Sequence, residues 1–115
     1  MASFKEMVVW QKSVDLTEMI YQLCLQLPSE ERYGMTSQMQ RAATAIPSNI
    51  AEGHRRNNRK EYYQFCGIAL GSAAELETQL IITSRVYSKI NTKEAIDLCV
   101  EVQKMLNSLI RRLKS

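Results

Sequence analysis

The chain has 115 residues, of which 45% are apolar and 23% are charged, so one domain with one buried core is expected over residues 1–115. No unbroken apolar run approaches the roughly 20 residues that cross a bilayer, and the N-terminus lacks the apolar region of a signal peptide, which favours a cytoplasmic protein. Three scattered cysteines, Cys24, Cys66 and Cys99, lie within apolar helical patterns and are expected to be small buried side chains rather than redox or metal sites.

The first predicted helix runs from Met7 to Leu27. Its apolar positions recur at steps of 7, 4, 3 and 4, which is the spacing of one helical face: Val9, Leu16, Ile20, Leu23 and Leu27. Pro28 ends the helix because its ring clashes with the preceding turn. The polar segment 28–34 is expected to form one short helical turn.

A second helix is predicted from Met35 to Gly53, with Pro47 inside it. Proline removes one backbone hydrogen bond and costs about 3 kcal/mol in an isolated helix interior. The apolar pattern keeps its phase across Pro47, which predicts a continuous helix with a kink. Two short helices are the alternative.

Two further helices follow a repeated start signal. Asn58 precedes Glu61 by three residues, and Asn91 precedes Glu94 by three, as in a helix N-terminal cap. The third helix is predicted from Arg59 to Ser88, and the fourth from Asn91 to near the C-terminus. Short connectors favour antiparallel neighbours, so the fold class is all-α, an antiparallel up-down-up-down four-helix bundle.

The sequence offers little for catalysis or metal binding. His54, the one histidine, has no nucleophile or carboxylate beside it to form a catalytic pair. No E-x-x-H pair occurs, which argues against a di-metal bundle. We therefore predict a protein that is not an enzyme and has no catalytic residue, no metal and no cofactor.

A stripe of small residues occurs in the third helix: Gly67, Gly71 and Ala74. Glycine inside a helix costs about 1 kcal/mol relative to alanine, but it lets another helix approach closely. The stripe predicts either tight packing within the bundle or a contact between subunits. The broad apolar face around Trp10 and Tyr21 is a second candidate for a subunit contact.

Positive charge is concentrated in two blocks. Residues 41–60 hold five basic residues and one acidic residue, and residues 104–115 hold four basic residues and no acidic one. In an up-down-up-down bundle the second connector lies at the same end as the C-terminus, so the blocks should converge. The converging residues are Arg55, Arg56, Arg59 and Lys60 with Arg111, Arg112 and Lys114.

Helix dipoles explain some of these cations. Cations stabilise helix C-termini, which accounts for the second block, but Arg59 and Lys60 are at a helix N-terminus, where the dipole disfavours them. An anionic partner is the simplest explanation, and a merely solvated surface is the alternative. Because no alternation of aromatic and basic residues is seen, any nucleic-acid binding should be to the backbone and weakly sequence-specific.

Several motifs resemble one known family. They are V-W-Q-K-S-V-D-L from Val9, I-P-S-N-I-A-E-G from Ile46, and I-A-L-G-S-A-A-E-L-E-T-Q-L from Ile68. Together, over about Val9 to Leu80, they resemble the four-helix bundle proteins of intervening sequences in bacterial 23S rRNA genes, a family that includes the accessory variability determinant of diversity-generating retroelements.

The resemblance implies a homopentameric ring of up-down-up-down bundles. For the retroelement branch it also implies a basic surface that binds RNA or DNA and a partner reverse transcriptase. It adds Arg41 to Arg55, Arg56, Arg59 and Lys60 as candidate nucleic-acid contacts. The leading hypothesis is thus a non-enzymatic oligomeric protein that binds nucleic acid through its basic end. The alternative is a protein-interaction scaffold without a nucleic-acid role.

Overall fold

Four α-helices make up most of the described chain. The computed structural model describes residues 3–115, and within that range every regular element is helical and no strand occurs. The helices are α1 Val8–Cys24, α2 Met35–His54, α3 Arg59–Val86 and α4 Lys93–Lys114. Short 3-10 turns at Phe4–Glu6 and Ser29–Glu31 precede α1 and α2, and the second of these was expected. The prediction of an all-α chain is confirmed.

The predicted helical faces form the core. In α1 and α2 the buried side chains include Leu16, Ile20, Met39, Ile46 and Ile50, each with no exposed surface. The three cysteines are buried free thiols. Burial raises the pKa of each thiol to about 11, so these cysteines stay protonated and unreactive near neutral pH.

Helix α2 passes through Pro47 without interruption, so the alternative of two short helices is wrong. Because proline has no N–H, the carbonyl of Ala43 lacks its usual partner four residues later. The Thr17 hydroxyl of α1 lies 3.1 Å from that oxygen and 2.8 Å from the Ser13 carbonyl oxygen, and its one proton can serve either acceptor. A donor from another helix is thus within reach of the carbonyl that the proline leaves free. The kink itself stays a prediction.

The end of α2 lies very close to the start of α3. Gly53 was predicted to end α2 but lies inside it. A Cβ at Gly53 would lie 2.7 Å from Phe65 Cβ and 3.1 Å from Tyr62 Cδ1, so a larger residue would push the two helices apart. Glycine is therefore required here by the close approach of α3.

Of the two predicted N-terminal caps, the one of α3 is confirmed and the one of α4 is wrong. Asn58 caps α3 as predicted, since its side chain accepts a hydrogen bond from the Glu61 backbone N–H at 3.0 Å. At α4 the cap was wrong: Thr92 occupies the cap position, and Asn91 instead accepts from the Lys93 backbone N–H at 3.1 Å. Helices α1 and α3 also end slightly earlier than predicted, at Cys24 and Val86.

The helices pack in the order in which they occur. Each contacts its neighbours in the series α1, α2, α3, α4, and α4 also contacts α1, giving a body of about 43 × 21 × 20 Å. Helix α3 differs from the others because it contains an 18-residue window with a mean hydropathy of 1.3, of which 33% is buried. By length and composition alone α3 could cross a membrane, so the expectation that no stretch approaches that length is wrong for α3. The core helix of a soluble protein meets the same criterion.

Candidate functional site

The start of α3 meets the end of α4 at what we call the basic end, defined by the cations of residues 55–60 and 111–114. The Arg59 guanidinium donates from Nε to the Leu113 carbonyl oxygen (3.1 Å) and from Nη2 to the Arg112 carbonyl oxygen (2.5 Å). Beside this contact, Lys114 Nζ lies 5.4 Å from the centre of the Tyr63 ring. The two basic blocks, more than 50 residues apart in sequence, are therefore brought together.

Arg59 has a structural partner of its own. The last carbonyl groups of an α-helix have no partner within the helix, and a cation there is also favoured by the helix dipole. Arg59 satisfies two of these carbonyls in α4, which explains why a cation lies at the N-terminus of α3. An anionic partner is thus not needed to account for Arg59, and that part of the sequence argument was wrong. Lys60 is exposed and makes no comparable contact within residues 3–115.

Most cations of the basic end lack a carboxylate partner. In residues 3–115 three ion pairs occur, and one of them, Arg56 with Glu52 at 3.1 Å, lies at this end. The cations of the basic end with no carboxylate within 4 Å in the described chain are Arg55, Arg59, Lys60, Arg111, Arg112 and Lys114. Their charges are compensated by solvent and, for Arg59, by backbone carbonyls, so the end presents excess positive charge.

Aromatic rings lie beneath the arginines of the basic end. The Arg55 guanidinium carbon is 5.5 Å from the centre of the Phe4 ring, and that of Arg56 is 4.9 Å from the centre of the Phe65 ring. These distances are within the range of cation–π interaction. Sequence reasoning missed these rings because Phe4 is distant in the chain and Phe65 lies nine residues beyond Arg56.

A shallow depression of about 490 Å³ lies between Arg55 and Arg56. It is open to solvent and is lined by Phe4, Ala51, Glu52, Arg55 and Arg56. Its apolar wall and its charged rim resemble the mixture found in ligand sites, where a few polar groups orient a ligand against apolar surface.

His54, next to the depression, makes a packing contact. Its ring lies 5.8 Å from the Tyr62 ring at an interplanar angle of 83°, an edge-to-face arrangement. The Tyr62 hydroxyl faces the Met7 sulfur at 3.4 Å, and burial raises the pKa of Tyr62 to about 12. That the protein is not an enzyme and holds no metal or cofactor stays a prediction.

Comparison with known proteins identifies the family. A profile of the 23S rRNA-intervening sequence protein family matches residues 5–108, nearly the whole chain. The chain belongs to this family. One solved structure, a protein of unknown function from the S23 ribosomal protein family of Bacteroides thetaiotaomicron, is 26% identical over 90% of this chain and 98% of its own, with a TM-score of 0.79. No curated protein matches. The resemblance seen in the sequence motifs is therefore confirmed.

Arg41 of this intervening-sequence protein lies apart from the basic end. Arg41 lies on α2, 14 residues before Arg55, the residue that follows α2. At 1.5 Å per residue this is about 21 Å along the helix. It lines a different depression, of about 480 Å³, between α2 and α3 and shares that depression with Glu75. Arg41 therefore cannot act at the same contact point as the other candidate residues.

The small residues of α3 lie on its outer face, away from the core. Gly67, Gly71 and Ala74 are all exposed, and a Cβ at either glycine would meet no atom within 4 Å. Tight packing within the bundle, the first of the two interpretations, is therefore wrong. The same face carries exposed apolar side chains, including Ile81 (37% exposed) and Ile82 (42% exposed). No contact within residues 3–115 accounts for this face.

The two aromatic residues of the second candidate subunit face, Trp10 and Tyr21, differ in burial. Trp10 is partly buried against the core, and its ring packs edge-on against Phe4 at 5.3 Å, so its contacts are with its own chain. Tyr21 is 45% exposed on α1. Of these two aromatic residues, Tyr21 is therefore the one available to another chain.

Proposed function

We propose that this intervening-sequence protein is a non-enzymatic, oligomeric nucleic-acid-binding protein whose basic end contacts the phosphates of RNA or DNA. The observation that carries the proposal is the gathering of six cations without a carboxylate partner in the described chain, drawn from both basic blocks, at one end of the molecule. Phosphate contacts of this kind give affinity with little sequence specificity.

The proposal includes an antiparallel up-down-up-down topology with a kink at Pro47. Contacts at the basic end support the topology: Arg59, at the start of α3, bonds to the end of α4, and His54, at the end of α2, packs against the start of α3. The opposite end supports it too, because the Tyr87 hydroxyl after α3 donates to Glu31 before α2 at 2.6 Å.

The oligomer is proposed to form through the outer face of α3. Two glycines that cost helix stability and face open space in the described part of the chain are explained if a second copy packs against them. A homopentamer, the number implied by the family resemblance, would have a mass of about 66 kDa, five times 13.2 kDa. A partner protein such as a reverse transcriptase would dock on a remaining surface of the assembly.

Light scattering after size-exclusion chromatography tests the oligomer. The variant Gly67→Gln/Gly71→Gln should fold at least as stably, because glutamine favours helix and meets open space, yet it should be monomeric. Asn107→Gln, at an exposed position of α4, is the control and should keep the mass of the wild type. A monomeric wild type, or an oligomer unaffected by both glutamines, would refute this interface.

Nucleic-acid binding is tested by titrating labelled RNA and DNA at about 50 and 200 mM salt, where each phosphate neutralised on duplex DNA contributes about −0.9 to the log–log slope. The variant Lys60→Gln/Arg111→Gln/Arg112→Gln should weaken binding and reduce the slope by about 2.7 if each cation contacts one phosphate. Arg59 is left unchanged because it supports the fold.

A control variant removes three exposed cations near the opposite end of the bundle, away from the outer face of α3: Arg32→Gln/Lys89→Gln/Lys93→Gln. It changes the net charge equally, so it separates local contact from general attraction. Equal losses in both variants would contradict a site at the basic end. No binding by the wild type at low salt would reject the nucleic-acid role and leave a protein-interaction scaffold, the second candidate, which the exposed apolar face of α3 favours.

A further inference from the structure

The arginines of the basic end are arranged for more than phosphate attraction. Arg55 lies over Phe4 and Arg56 over Phe65, with guanidinium carbons 5.5 Å and 4.9 Å from the ring centres, so cation–π attraction restrains each side chain. A side chain held in this way loses less conformational entropy when a ligand binds. Planar guanidinium groups and aromatic rings are the surfaces on which proteins stack unpaired bases.

The depression between these arginines also holds an acidic side chain. Glu52 lines it, and its carboxylate repels an anion, although one of its oxygens, Oε2, accepts from Arg56 Nη2 at 3.1 Å. No bond within residues 3–115 occupies the other oxygen, Oε1, which is a free acceptor beside a stacking surface. An acceptor next to planar groups matches a nucleobase that presents an amino group, as cytosine does through N4.

We infer that the depression lined by Phe4, Ala51, Glu52, Arg55 and Arg56 binds an unstacked base of single-stranded nucleic acid, with preference for a base that carries an exocyclic amino group. The inference rests on the proposed function, since the neighbouring cations are to hold the phosphates of the same strand. A second depression of about 420 Å³ adjoins the first and shares Phe4 and Arg55, so a following base has a neighbouring surface. In a duplex the bases are stacked inside and cannot reach either depression.

The test separates stacking from charge by a substitution that keeps the charge. In Arg55→Lys/Arg56→Lys the net charge is unchanged, but the planar groups are lost. Binding of fluorescein-labelled 12-nucleotide oligo(C) should weaken about tenfold, in line with the stacking of one base, while the salt slope and the affinity for a 12-base-pair duplex stay as in the wild type. Arg32→Lys is the matched control, because Arg32 lies 5.4 Å from the centre of the Tyr33 ring, outside the depression, and should change nothing.

The base preference is measured with oligo(C) and oligo(U), which differ at the amino group but not in ring size. The wild type should bind oligo(C) about fivefold to tenfold more tightly, the lower part of the range for a base-edge contact. Glu52→Gln should remove the difference because its amide can also donate to uracil. Equal affinity of the wild type and the double lysine variant for oligo(C) would overturn the stacking inference while leaving phosphate binding intact. Failure of the wild type to bind any oligonucleotide would overturn the proposed function itself.

Discussion

The contact between Arg59 and the end of α4 makes a specific prediction about stability. The variant Arg59→Met removes two charge-assisted hydrogen bonds to the carbonyls of Arg112 and Leu113 while keeping most of the side-chain volume. Such bonds contribute about 1.5–3 kcal/mol when protected from water. Because Arg59 is exposed, we expect its two bonds to contribute at most about 1.5 kcal/mol. Removing a cation from the N-terminus of α3 returns a few tenths of a kcal/mol. We therefore expect a net loss of about 1 kcal/mol.

Urea denaturation at 25 °C, followed by circular dichroism at 222 nm at one fixed protein concentration, measures this change. A loss of about 1 kcal/mol corresponds to a fall of about 4 °C in Tm for a domain of this size. Lys60→Met is the matched control, since it removes a cation from the same helical turn without breaking a contact and should be neutral or slightly stabilising. The reasoning fails if Arg59→Met costs no more than Lys60→Met, because the two carbonyls would then be equally well satisfied by water.

Three further outcomes follow from individual contacts. Thr17→Val should lower the free energy of unfolding by about 1–2 kcal/mol, because it leaves the Ala43 carbonyl without a donor, whereas Thr17→Ser should retain most of it; urea titration compares the two. Gly53→Ala should destabilise by about 1–3 kcal/mol through the clash between α2 and α3, and a Tm equal to that of the wild type would contradict the close approach. Tyr87→Phe should raise the pKa of Glu31, because the Tyr87 hydroxyl now holds it below its ordinary value, and NMR titration of the carboxyl group should show the shift. The stability from this bond is present above the unfolded pKa of about 4.3 and is lost as the pH falls through the folded pKa.

The helices could be predicted from the sequence because their signals are local. Apolar residues at steps of three and four define each face, and Pro28 and Asn58 mark ends whose chemistry depends on neighbouring residues alone. The start of α4 was misplaced because Asn91 and Thr92 are both capping residue types, and only the backbone conformation decides between them. The contact between Thr17 and the Ala43 carbonyl joins two helices, so it could not be predicted from a local sequence pattern.

The candidate site could be predicted in its charge but not in its details. The two basic blocks are visible in the sequence, and topology alone suggests that they meet. Whether a given cation is free depends on contacts between distant segments: Arg59 is bound to carbonyls of α4, and Arg55 lies on a ring from the first residues of the chain. The same holds for Gly67 and Gly71, whose outward position depends on which face of α3 the core selects.

The cations of the basic end divide into two kinds with different uses. All four side chains are exposed, but Arg55 and Arg56 lie over aromatic rings that restrain them and suit contacts with planar groups. Lys60 and Arg111 make no such contact within residues 3–115 and can adjust to phosphates at variable spacing. In a cyclic assembly every copy presents its basic end at the same height along the axis. A long strand that reaches several copies then binds with the avidity of linked sites, so weak affinity at each site is sufficient. If the proposed assembly forms, a net charge of +3 per chain is thus compatible with firm binding, and binding should strengthen with strand length until the strand spans all copies.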